Sequence, residues 1–208
     1  APTPVSAYLH SATLVKAGIF LLARLHPAMA GTDAWVFAVS GTGLFTMAFA
    51  AYVAIKEHDL KGLLAYSTIS HLGLITALLG FSVKHAAVAA VFHIFNHAAF
   101  KASLFMTAGI VDHEAGTRDM RELGGLRHSM PITFVLGLLG ACAMAGVPFF
   151  NGFISKEMFF AEAVHMVHHA PFDGGAIGWL VPVVATLGGV FSVAYSIRFV
   201  FDTFLGEE

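Results

Sequence analysis

Three lysines stand where a lysine is costly. Lys16, Lys101 and Lys156 each lie well inside an apolar stretch, and at the centre of a bilayer a lysine costs about 2.5–3.5 kcal/mol even on the lenient insertion scale. Something must offset that cost: a wet bundle interior, a carboxylate partner, or an amine that stays neutral. Snorkelling of the charged end to the interface is the alternative. Lys101 sits far into its run with no short route out, whereas Lys156, close to a helix breaker, is also readable as purely structural. Glu157 follows Lys156 directly, but neighbours at i and i+1 do not face each other, so a partner for Lys156 is expected on another helix.

His93, His97 and Lys101 recur every fourth residue and so project from one helix face, about 6 Å apart along the axis. One bridging water per gap would join them, which is the layout of a proton relay, with Asn96 adding a polar atom beside the stripe. A lone buried histidine is ordinarily a hydrogen-bonded core residue; two in register with a lysine argue for the relay. Ser6, His10 and Thr13 mark a face of the first run below Lys16, though hydroxyls there also bond helix carbonyls. His71, beside Ser67 and Ser70 in YSTISH, either extends the polar path or is a satisfied core residue. Lys61, next to Asp59 at the end of a run, reads first as a solvated interfacial lysine. His165, His168 and His169 have the spacing to hold a metal, but a solvated helix end is the stronger reading, so no metal site is expected.

The elements that must position these groups are membrane spans. The chain has 208 residues, 57% apolar and 12% charged, with 20 phenylalanines and 21 glycines. That charged fraction is about half of a soluble domain's, so a soluble enzyme is excluded. Apolar runs cover residues 5–26, closed by Pro27, and then 34–55, 62–81, 84–111 and 178–204. A longer run, 131–167, is interrupted near Pro148, with Gly146 and Gly152 flanking it. As one straight helix it would be roughly 55 Å long and overshoot the hydrocarbon core, so it is one interrupted crossing or two short segments. Unwound backbone at membrane depth is tolerated where it lines protein or a wet cavity, and broken helices mark ion sites in several transporters.

The expected fold class is therefore an all-α polytopic membrane protein, a bundle of about six transmembrane helices including one broken helix, in a single membrane domain. The polar loops at 56–61 and 112–129 share a face and hold Lys56, Lys61, Arg118, Arg121 and Arg127, against only Arg24 and Lys84 opposite. The positive-inside rule puts those loops in the cytoplasm. A net charge of −2 and the absence of nucleotide-binding glycine patterns give no indication of nucleic acid or nucleotide partners. Cys142 is the single cysteine, so no internal disulfide or thiolate cluster forms. No cofactor is called for; a haem bound by facing histidines is a third reading that an absent Soret band would remove. The chain opens at Ala1 without a leader pattern and reads as a fragment of something longer.

The stretches PTPVSAYLHSATLVKAGIFLL, DLKGLLAYSTISHLG, HIFNHAAFKASLFMTAGIVDHEAGTRDMRELGGL and GVPFFNGFISKEMFF closely resemble the antiporter-like membrane subunits shared by Mrp-type multisubunit Na⁺/H⁺ antiporters and respiratory complex I. Lys16 and the VDHEAGTRDMRELGG loop resemble the large A subunits of the Mrp-type branch more than the complex I branch. The resemblance implies two inverted five-helix repeats, each with a discontinuous helix, and a midplane chain of lysines and histidines that moves protons. It implies that Lys61 is the loop-end lysine, that His93, His97 and Lys101 are the central relay, that Lys156 is the terminal lysine at the break, and that His10 is the first-span histidine. It also implies that the interrupted run is one crossing, that the family's earlier Glu and Lys pair lies upstream, and that the chain is the second half of the antiporter-like core. The expected function is proton translocation in a Na⁺ or K⁺/proton antiporter. The chain would serve there as part of a secondary transporter and not as a stand-alone enzyme, with the other members of the complex and the lipid bilayer as partners, in the bacterial inner membrane. The alternative is a proton-pumping, non-catalytic subunit of a redox enzyme of the complex I type.

Overall fold

The structure, a computed structural model, describes residues 3–169 and 171–206, with the side chains of Thr3, Pro4 and Ser6 outside the described set. Four continuous helices among these residues are long and apolar enough to cross a membrane: α3 (Asp33–Lys56), α4 (Leu60–Gly80), α5 (Ala86–Ala115) and α8 (Ala176–Leu205). Around them run two pairs of half-helices, α1 (Thr3–Ser11) with α2 (Ala17–Met29), and α6 (Pro131–Ala145) with α7 (Asn151–His165).

Local chemistry sets most of the helix ends. The Thr32 side chain accepts from the Trp35 amide to start α3, and Asp59 accepts from the amides of Lys61 and Gly62 to start α4, each satisfying donors that a helix N-terminus leaves open. Pro131 opens α6, and Gly146 ends it in the left-handed region at φ +83°, the usual division of labour between proline and glycine. The Arg198 guanidinium donates to the carbonyls of Ile55 and Glu57 and so caps the end of α3 from a distance. Helix α2 runs two residues past Pro27, where the sequence put its end.

The α6/α7 run is one crossing. Its contacts with α5 descend in order, Gly137 on Thr107, Gly140 on Leu104, Asn151 on Asn96 and Ser155 on His93, with no reversal at the break. The two halves overlap instead of meeting end to end. A Cβ on Gly152 would fall 1.8 Å from the Ala143 carbonyl oxygen, so only glycine lets α7 begin beside the last turn of α6. This overlap is how the long run fits one bilayer thickness. The structure adds a second interruption within residues 5–26: α1 stops at Ser11, Thr13 sits at φ −118°, ψ −85°, and a single 3₁₀ turn, Leu14–Lys16, leads into α2. This crossing also runs antiparallel to α5, since His10 stacks on Phe105 while Lys16 reaches the Ile94 carbonyl. Six crossings result among the described residues, two of them broken.

The 112–129 stretch is shorter as a loop than its polarity suggests, because α5 continues to Ala115 before Gly116 turns it at φ +72°. The loop is stitched to the α3–α4 turn by backbone bonds from Leu60 to Arg118 and from Met120 to His58, and by the Arg118–Asp59 ion pair at 2.6 Å. Two apolar clusters form the core. One joins Leu60, Leu64, Phe105, Met144 and Phe199 toward the loop face; the other joins Leu78, Phe81, Ala86, Phe159 and Ala185 toward the opposite face. Between them lie buried polar residues at 67–71 on α4, 93–101 on α5, 155–156 on α7 and Ser192 on α8, while Ser40, Thr107, Glu162 and Thr203 are buried outside this band. A polar layer thus lies at mid-depth, sealed by apolar packing above and below.

Candidate functional site

A direct hydrogen-bonded chain crosses this layer. His71 Nδ1 lies 3.0 Å from His93 Nε2, His93 Nδ1 lies 3.0 Å from Ser155 Oγ, and the Tyr195 hydroxyl lies 3.2 Å from His71 Nε2. All four residues are buried. The direct contacts run between helices and not along the stripe: His93 and His97 are one turn apart on α5, and their rings stand 6.4 Å apart between centroids, the spacing expected from sequence. The bond from His93 goes sideways to α4, because a neighbouring helix brings a side chain closer than the next turn can. His97 is fully buried beside the Ser11 backbone, its ring 5.5 Å from that of His71, and neither of its nitrogens has a hydrogen-bond partner among the described residues.

Each of the three costly lysines is held by oxygen, and none has a carboxylate within ion-pair distance among the described residues. Lys101 Nζ donates to the Leu64 carbonyl at 3.1 Å and to Ser67 Oγ. Lys16 Nζ donates to the Ser11 carbonyl at 2.5 Å and to the Ile94 carbonyl at 3.2 Å. Lys156 Nζ donates to the Ala145 carbonyl at 3.0 Å and to Ser192 Oγ at 2.8 Å. The last two repeat one device. Breaking a crossing frees the last carbonyls of its first half, at the negative end of that half-helix, and a lysine from the second half takes them up. The bilayer cost of an ammonium is offset there by oriented carbonyls.

A small cavity of about 10 Å³ lies between the two systems; Ser70, His71, Lys156, Ser192 and Tyr195 are among the residues that line it. Its volume is about what one water needs, and Met47, Leu74, Phe159 and Phe160 supply most of its wall. Asn96 and Asn151 exchange hydrogen bonds at 3.2 Å across the break, pinning the start of α7 to α5.

The remaining sequence-selected residues lie elsewhere. Lys61 is half-buried at the loop-face end of α4 and pairs with Asp112 at 2.6 Å; Leu64, whose carbonyl holds Lys101, is one turn further in. His10 is exposed and stacked on Phe105, outside the layer. Thr13 bonds the Tyr8 carbonyl, and the Ser6 side chain is outside the described set. His169 bonds the His165 carbonyl at the far end of α7. Tyr195, Ser155 and Ser192 were not singled out from the sequence, although Ser192, Tyr195 and Ser196 share one face of α8 at helical spacing. Outside the membrane, Asp119 accepts side-chain and backbone hydrogen bonds from Arg121, which hold its carboxyl down at about 2.

Groups of this kind, imidazoles in direct contact and ammonium ions on neutral oxygens, can pass protons without moving heavy atoms far. The family described as NADH:quinone oxidoreductase/Mrp antiporter, TM, matches residues 1–171. The chain belongs to that family. It is 63% identical over 209 residues to the A/B subunit of a probable K⁺/H⁺ antiporter of Rhizobium meliloti (strain 1021), covering all of this chain and 20% of that protein. It is 51% identical over 218 residues to the A subunit of the Na⁺/H⁺ antiporter of Bacillus subtilis (strain 168), covering all of this chain and 27% of that one. Among solved structures, a chain of the Mrp complex from Dietzia sp. DQ12-45-1b superposes with a TM-score of 0.88 at 43% identity, over 99% of this chain and 22% of that one. A chain of the membrane-bound sulfane sulfur reductase, an archaeal respiratory membrane complex, superposes with a TM-score of 0.86 at 27% identity, over 100% and 41%. The chain thus spans about a fifth to somewhat over a quarter of the curated relatives' length. It is an integral membrane protein.

Proposed function

We propose that this chain is proton-translocating membrane machinery of the large A subunit of a Mrp-type antiporter, which exchanges protons for Na⁺ or K⁺. The observation that carries this reading is the mid-depth layer: three buried lysines that have no carboxylate partner among the described residues, arranged around a hydrogen-bonded histidine pair. Lys61 and Asp112 stand at the mouth on the face assigned to the cytoplasm, Lys101 lies one turn inside, and His97, His71 and His93 lead on to Lys156 at the second interruption. Lys16 joins at the first. Each lysine would alternate between ammonium and amine as a neighbouring charge or water arrives. Cation coupling and the remaining path belong to other parts of a multisubunit complex in the bacterial inner membrane.

Lys101→Ala and Lys156→Ala, made in the full complex and reconstituted in vesicles, are expected to abolish exchange of Na⁺ or K⁺ driven by a pH gradient, with assembly intact. Normal exchange in normally assembled complex would reject the assignment. A second reading is favoured by the likeness to the archaeal respiratory complex: a proton-pumping, non-catalytic subunit of a redox machine that uses the same layer. Higher identity to the named antiporters favours the first. Copurifying iron–sulfur or flavin subunits would decide for the second.

A further inference from the structure

Tyr195 is buried between the histidine pair and Lys156. Its hydroxyl lies 3.2 Å from His71 Nε2, and Ser70 and Ser192, whose hydroxyls donate to the Met47 and Met144 carbonyls, line the same small cavity beside it. Ser192 Oγ in turn holds Lys156 Nζ at 2.8 Å. The side chain is fully buried, and it lines the small cavity that also meets His71 and Lys156. The titratable groups around it are His71 on α4, His93 beyond it on α5, and Lys156 on α7.

The hydrogen-bond senses along this chain are linked, because a neutral imidazole donates from one nitrogen and accepts at the other. If the phenol donates to His71 Nε2, then His71 Nδ1–H donates to His93 Nε2 and His93 Nδ1–H donates to Ser155 Oγ. The Ser155 hydroxyl is then free to donate to the Gly152 carbonyl, 3.1 Å away. If the phenol turns to Ser192 or Ser70, every bond reverses: His71 Nε2–H donates to the phenol oxygen, and Ser155 donates to His93. Both senses satisfy every group in the chain. The two senses differ in the tautomer of both imidazoles and in the rotation of the Tyr195 and Ser155 hydroxyls, so a turn of the phenol takes hold only when one proton shifts along the chain.

We propose that the Tyr195 hydroxyl is the rotor that connects the histidine pair to Lys156 and sets the direction in which the pair can take a proton. In the forward step one Lys156 N–H bond breaks and its proton joins Ser192 Oγ. The Ser192 hydroxyl, turned away from the Met144 carbonyl that it meets in the structure, passes its own proton to the Tyr195 oxygen, the phenol proton goes to His71 Nε2, and the His71 Nδ1 proton to His93 Nε2. Lys156 ends as a neutral amine and His93 as an imidazolium, so one positive charge has crossed the layer with nothing oxidised or reduced. The proposal rests on the proton-translocating reading above.

The test uses the intact complex in vesicles. Tyr195→Phe keeps the ring and its packing but removes the rotor, and exchange driven by a pH gradient is expected to fall about a hundredfold with normal assembly. Incorporation of 3,5-difluorotyrosine at the same position keeps a more acidic hydroxyl; it is expected to support exchange while moving the alkaline limb of the pH profile to lower pH. Wild-type exchange in Tyr195→Phe beside an inactive Lys156→Ala would overturn the rotor and leave the function standing. Loss in Tyr195→Phe with an unmoved pH profile in the fluorinated protein would show that the hydroxyl is only structural, and would also overturn it. Active Lys101→Ala and Lys156→Ala would sink the underlying function instead. If Tyr195→Phe fails to assemble, the fluorinated pH profile alone decides.

Discussion

Removing the Ser155 hydroxyl would leave His93 Nδ1 buried with no other hydrogen-bond partner among the described residues. A buried polar group stripped of its partner costs about 1–3 kcal/mol, so Ser155→Ala is expected to lower the thermal midpoint of the purified complex and to slow exchange. An unchanged midpoint would mean that the contact contributes nothing. At this scale the sequence displayed the costly groups plainly: a lysine in an apolar run is conspicuous wherever it sits, and Lys16, Lys101 and Lys156 are all buried and oxygen-held. It did not display who would hold them. Ser67, Ser192 and the Leu64, Ser11 and Ala145 carbonyls come from turns or helices whose approach depends on packing. Nor did the sequence display that the His10 ring would stack on Phe105.

The interruptions belong to the element scale. The second was legible because Gly146, Pro148 and Gly152 cannot continue a helix together, and the overlap they create is sterically exacting. Gly152→Ala would place a methyl group 1.8 Å from the Ala143 oxygen, pushing α7 off α6 and carrying Lys156 away from the Ala145 carbonyl. Overpacking of this kind costs about 1–3 kcal/mol or more; a fall in thermal midpoint and loss of exchange should be measured together. Retention of both would mean that the overlap is not what seats Lys156. The first interruption lacked any such signal, since only Gly18 and Pro4 come near it in sequence. It arises from local competition, with the Ser11 hydroxyl taking the Ala7 carbonyl and Thr13 taking that of Tyr8, together with a lysine that claims the freed Ser11 carbonyl. The close seating of α3 on α4 follows from Gly43, Gly73 and Gly80, where a Cβ would strike the opposing backbone, the small-residue contact that lets membrane helices approach.

Over the whole molecule, apolar packing seals the polar layer on both sides, and the charged loops gather on one face. Composition and run length were enough to read six crossings and the loop asymmetry, since both follow from bilayer thickness and the distribution of Lys and Arg. The orientation predicts that Ser129→Cys, exposed at the end of the loop and made with Cys142→Ser, reacts with a membrane-impermeant maleimide in inverted vesicles and not in intact cells; the opposite pattern would invert the topology. What composition could not give is the lateral connection, because it depends on which helices are neighbours. The most direct measurement of that connection is proton flux in vesicles carrying the complex with His93→Gln, read with an internal pH-sensitive dye under an imposed Na⁺ or K⁺ gradient. Glutamine keeps hydrogen-bonding atoms in the layer but cannot carry an extra proton at neutral pH. Conduction through the histidine pair predicts a loss of about a hundredfold or more in normally assembled complex; flux at the wild-type rate would contradict it.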